Sequence, residues 1–99
     1  MLKNIYSSAV EAVMEESGLE FDRLAHGRDE MSVTARVVLV DALMEMGMSE
    51  AIVVGLSGMS QQRVNRLKNS ARQKLRGLYG QMLHDAVEKR MRGILPNSE

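Results

Sequence analysis

Gln61, Gln62, Arg63, Asn65 and Arg66 lie within six consecutive residues, and their side chains are those best suited to reading the edges of nucleic-acid bases. In the major groove of duplex DNA an amide side chain can pair bidentately with adenine and a guanidinium with guanine. Lys68 and Arg72 follow closely and offer charge for phosphate, a contact that positions a protein without naming a sequence. Between residues 60 and 76 there are six cations, Arg63, Arg66, Lys68, Arg72, Lys74 and Arg76, and no acid. Catalytic chemistry has no comparable focus. His26 and His84 stand 58 positions apart, no carboxylate pair is spaced about them as metal ligands would be, and both are expected to be surface or capping residues. Glu15 with Glu16, and Asp29 with Glu30, are adjacent and would point to different sides of a helix. No enzyme activity, catalytic residue, metal or cofactor is expected.

Those polar groups need an element to hold them on one exposed face. The spacing predicts a helix from about residue 50 to 56 bearing Ile52, Val53 and Leu56, capped by Ser49. Ser57 and Gly58 make a turn, and Ser60 caps a longer helix that carries Val64, Leu67, Ala71, Leu75 and Leu78 inward. The pair is a helix-turn-helix spanning about 49 to 76, with Gln61, Gln62 and Asn65 turned away from the core. Free backbone amides at the helix starts near Ser49 and Ser60 add anion sites.

The rest of the chain also reads as helix. A first helix is predicted over about 2 to 17, and a short one over about 20 to 26 with Phe21 and Leu24 inward. A third, over about 33 to 46 and capped by Ser32, carries Val33, Val37, Val40 and Met44. A C-terminal helical segment, about 78 to 95, bears Met82, Leu83, Ala86, Val87 and Met91. It either folds back on the first helix to close the core or serves as a dimer contact. The expected architecture is a small all-α domain of about five or six helices, occupying residues 1 to 99 as one unit.

Charge is divided along the chain although the formal net charge is zero. Residues 1 to 59 carry four cations against ten acids; residues 60 to 99 carry nine against three. A basic surface is therefore expected in the second half. There is no cysteine, which removes disulfides and thiolate ligands. Nine methionines are read as fillers of core gaps. No run reaches the roughly 18 apolar residues of a bilayer span, so a cytoplasmic protein with no membrane partner is expected.

The run "VMEESGLEFDRLAHGRDEMSVTARVVLVDALMEMGMSEAIVVGLSGMSQQRVNRLKNSA", residues 13 to 71, resembles the carboxy-terminal DNA-binding domain of the replication initiator DnaA, within the Trp-repressor-like superfamily. Gly18 to Leu24, Gly27 with Arg28, and Ala35 with Arg36 stand where that family has its short helix, its basic loop and its Ala-Arg pair. The resemblance implies that Arg28 and Arg36 flank the DNA backbone or minor groove, and that Ser60 to Arg63 replace the family's major-groove readers. The family's turn signature is here "GMSQQRV", which keeps Gly58 and Val64 and places Ser60 and Gln61 where aspartate and histidine are usual. The turn is equally similar to repressor headpieces of the lactose-repressor type. No phosphate-binding GxxxxGK[ST] loop is present, so no nucleotide is expected. The expected partner is double-stranded DNA, bound by a transcriptional regulator or mobile-element accessory protein, possible as a homodimer. A protein-interaction domain that kept the framework and lost DNA is the alternative.

Overall fold

The computed structural model describes residues 2–94, and among them six helices and no strand are formed. They are α1 (Leu2–Ser17), α2 (Phe21–His26), α3 (Glu30–Glu45), α4 (Glu50–Ser57), α5 (Gln61–Lys74) and α6 (Leu78–Ile94). The all-α expectation holds. Leu95, at the end of the expected last segment, lies outside the described residues.

α3 is the axis of the domain and packs against all five other helices. A helix surrounded in this way has no solvent face of any width, which explains why its hydrophobic residues do not confine themselves to one stripe. Ala35, Val37, Val38, Leu39, Val40, Ala42 and Leu43 are all buried. α1 contributes Ala9, Ala12 and Val13, α4 contributes Val53, α5 contributes Val64 and Leu67, and α6 contributes Leu83, Val87 and Met91. α6 thus spends its apolar stripe on α1 and α3, and Arg90 adds ion pairs back to Glu15 and Glu16 of α1. No described helix is long and apolar enough to cross a membrane.

Several expectations need correction. α3 starts three residues earlier than predicted because Asp29, not Ser32, is its cap. The Asp29 carboxylate accepts from the Ser32 backbone N–H at 3.2 Å and from the Ser32 hydroxyl at 2.7 Å. A charged acceptor at the positive end of a helix is stronger than a hydroxyl. Ser32 becomes a buried link beneath it. Phe21 is 57% exposed and not inward, while Leu24 is buried as expected. Val33, Ile52 and Leu56 are half-buried. Leu78, expected to continue the long helix inward, instead begins α6 and is exposed, as is Met82.

The α4–α5 junction depends on Gly58, whose φ of 77° is a left-handed conformation that costs a side chain strain. Its N–H closes the end of α4 on the Val54 carbonyl at 3.0 Å. Ser57 Oγ then accepts from the Met59 N–H, and Ser60 Oγ accepts from the Arg63 N–H, both at 3.1 Å. The passage from one helix to the next is made in three residues, Gly58 to Ser60. Val53 and Val64, each fully buried, hold the two helices to the core on either side of it.

Candidate nucleic-acid interface

Once Val64 and Leu67 are buried, helical geometry decides what α5 presents outward. Gln61, Gln62, Asn65, Arg66, Lys68, Asn69, Arg72 and Gln73 are all exposed. Gln62, Arg66, Asn69 and Gln73 lie farthest from the buried stripe, one to two helical turns apart along the axis. Asn69 and Gln73 extend the amide set beyond the residues selected from the sequence. Asn69 Nδ2 donates to Asn65 Oδ1 at 3.2 Å, an i, i+4 link along the face. That spacing was visible in the sequence.

A carboxylate from α4 stands beside this face. Glu50 Oε1 accepts from Gln61 Nε2 at 2.6 Å, Glu50 Oε2 accepts from Lys68 Nζ at 2.7 Å, and Asn65 Nδ2 reaches both oxygens at 3.4 Å. The hydrogen bond from Lys68 foremost, with further donors from Asn65 and Gln61, holds Glu50 below the ordinary glutamate range. At the first position of α4, the charge also faces the positive end of that helix. Three of the expected DNA-contacting groups are therefore gathered by one acid that sequence reasoning did not single out. No local signal would have found it, since the partners are 11 to 18 residues away and meet only through the packing of α4 on α5.

Two of the expected arginines face inward. Arg36, implied by the resemblance to flank DNA, is only 8% exposed. Its Nη1 donates to the Leu24 carbonyl at 2.9 Å and its Nη2 to the Gly27 carbonyl at 2.6 Å. Burial, and then the nearby charge of Arg63, lower its pKa. Arg63 Nη2 donates to the Ala25 carbonyl at 3.1 Å and is half-buried. Both guanidiniums serve the C-terminal carbonyls of α2, the negative end of that helix. Arg36 is thus a strut between α2 and α3 and has no free face for phosphate. Gly27 allows this close fit, because a Cβ there would collide with Ser32 and the Arg23 carbonyl.

The remaining cations divide by partner. Lys74 pairs with Glu30 of α3 at 2.8 Å. Among the described residues Arg28, Arg66, Arg72 and Arg76 are exposed and make no ion pair. Arg28 sits in the α2–α3 loop, which the Arg63–Ala25 and Lys74–Glu30 contacts hold alongside α5. Arg72 lines an open cavity with Asp41, Glu45, His84 and Asp85. Ser49 and Ser60 cap their helices as expected, accepting from the Ile52 and Arg63 N–H groups. His84, expected on the surface or at a cap, instead collects carboxylates from α3, Asp41 and Glu45, that lie far from it in sequence. Comparison with family models, curated proteins and solved structures finds no match to this chain, so function must be argued from its own geometry.

Proposed function

We infer that the chain binds double-stranded DNA by laying the N-terminal half of α5 in the major groove, as a transcriptional regulator or an accessory protein of a mobile element. One observation carries the reading: behind a capped start, α5 exposes amides and arginines on a face that contains no acid of its own. Gln62, in the first turn after Ser60, is placed to approach a base edge, and Arg66 one turn on can reach guanine or phosphate. Arg28, in the loop beside that helix, and Arg72, in its C-terminal half, serve as phosphate contacts. Gln61, Asn65 and Lys68 are held by Glu50 and would approach DNA as a preset group. The test is a salt titration of binding to mixed-sequence duplex, followed by selection of bound sites from a random pool. Binding that weakens steeply with salt supports the reading, and the number of chains on the selected duplex tests the homodimer.

A second reading is favoured by Glu50 itself. Its carboxylate beside the candidate reading face opposes phosphate and suits a partner that offers a cation or donor, as a protein would. No salt-sensitive binding to any duplex by the folded chain would put this interaction-domain reading ahead.

A further inference from the structure

His84 projects from α6 toward α3. Its Nε2 lies 3.3 Å from Asp41 Oδ2 and 3.3 Å from Glu45 Oε1, while Nδ1 lies 3.4 Å from Asp85 Oδ1. Asp41 and Glu45 are four residues apart on α3 and so share a face. The three atoms supplied by Asp41, Glu45 and His84 all lie within 4.8 Å of one another. A histidine ion-paired with acids is the ordinary explanation, and three features go beyond it.

The spacing is the first. At 3.3 Å from both oxygens, Nε2 makes two long contacts, and a single N–H can be directed at only one of them. Donor atoms held about 2.1 Å from a tetrahedral metal ion stand about 3.4 Å apart, close to the two nitrogen–oxygen separations of 3.3 Å, with the two carboxylate oxygens within 4.8 Å of each other. The second is charge. Asp41, Glu45, Asp85 and Glu88 crowd one imidazole, and among the described residues only Glu88 forms an ion pair with an arginine or lysine, Arg92 at 3.3 Å. The third is room. An open cavity of about 440 Å³, whose walls include Asp41, Glu45, His84 and Gln81, leaves space for an ion and a water. Arg72 closes another side.

We propose that Asp41, Glu45 and His84 form a binding site for a divalent transition-metal ion of the zinc class, with a fourth position open to water. One imidazole nitrogen and two carboxylate oxygens suit Zn²⁺ or Co²⁺ better than Mg²⁺, which favours all-oxygen octahedral shells. An ion there ties α3 to α6 and neutralises the acids facing Arg72.

The experiment uses the full chain, stripped with chelator and titrated with Zn²⁺ at neutral pH by calorimetry, with Co²⁺ visible absorption as the probe of coordination. One ion per chain is expected, with a d–d spectrum of low coordination number and a Tm raised by Zn²⁺. His84→Ala and Asp41→Asn each should weaken Zn²⁺ binding at least about tenfold, no less than loss of an outer-shell partner does. His26→Ala, at the other histidine, should leave it unchanged. Asp41→Asn is near-isosteric and carries the test if His84→Ala fails to fold. Failure of the folded wild type to bind Zn²⁺, or equal affinity in Asp41→Asn or His84→Ala, overturns the site. No DNA enters the measurement, so its outcome is separate from that of the proposed function.

Discussion

Replacing Glu50 by alanine should strengthen the dependence of DNA binding on salt. Lys68 and Glu50 form a neutral pair at 2.7 Å, so approach of a phosphate to Lys68 brings it equally close to the carboxylate. In the wild type that pair displaces no net counterion. Arg36 is buried in carbonyl contacts and also drops out of the count. This leaves Arg28, Arg66 and Arg72, and at about 0.9 per neutralised phosphate the slope of log K against log salt is roughly −2.7. In Glu50→Ala, Lys68 is released and the slope becomes roughly −3.6. Between 50 and 200 mM salt, the range over which such slopes are compared, wild-type affinity should fall about 40-fold and the variant's about 150-fold. Fluorescence anisotropy on one labelled duplex at several salt concentrations measures both. Lys68→Ala should change the slope little in the wild type and return it to about −2.7 in Glu50→Ala, a cycle that isolates the pair. The reasoning is refuted if the folded variant keeps the wild-type slope, since Lys68 then never meets phosphate.

The other expectations concern reading and stability. Gln62→Ala should cost about 1–3 kcal/mol on the preferred duplex and little on unrelated DNA, whereas Arg72→Ala should weaken both alike and reduce the slope by about one; equal losses from the two variants on both duplexes would contradict the division of roles. Val64→Ala removes two buried methyl groups and leaves a cavity, for a loss of about 2 kcal/mol and about 10 °C in Tm; a scanning calorimetry shift under ~2 °C would show that the α4–α5 pair is not anchored there. Arg36→Ala deprives two carbonyls of charged donors and should lose about 3 kcal/mol in denaturant unfolding, without altering the salt slope of whatever fraction remains folded. Asp29, held at about 2 chiefly by the hydrogen bond from Ser32, has a folded pKa below its unfolded value. Its capping contribution is present above roughly pH 4 and is lost as pH falls toward 2, so Asp29→Ala should lower Tm at neutral pH and not at the acid end. A Tm difference independent of pH would mean that the carboxylate charge is not what caps α3.

Periodicity and punctuation made much of the architecture readable. The bounds of α1, α4 and the start of α5 follow from apolar spacing, from Ser49 and Ser60 as caps and from Gly58 as the turn, all properties of a few neighbouring residues. The burial of Val37, Val40, Val53, Val64 and Leu67 follows the same spacing. The exposure of Gln62 and Arg66 is legible too, because a helix with one buried stripe must turn the opposite residues outward. The start of α3 escaped because two capping candidates three residues apart, Asp29 and Ser32, compete, and the outcome depends on which oxygen lies nearer a free N–H.

What the packing alone decided is the fate of the charges. Arg36 lies in an apolar run and Arg66 in a polar one, but neither setting names a partner; packing makes one a buried strut on the carbonyls of α2 and leaves the other open to solvent. Glu50 reaches Gln61, Asn65 and Lys68 across the α4–α5 junction, and Asp41 and Glu45 reach His84 across the α3–α6 contact. Hydrophobic periodicity records only how an element divides between core and solvent. A charged side chain's partner is set by which helix lies beside it and how the two are rotated, and that is a property of the whole packed core around α3.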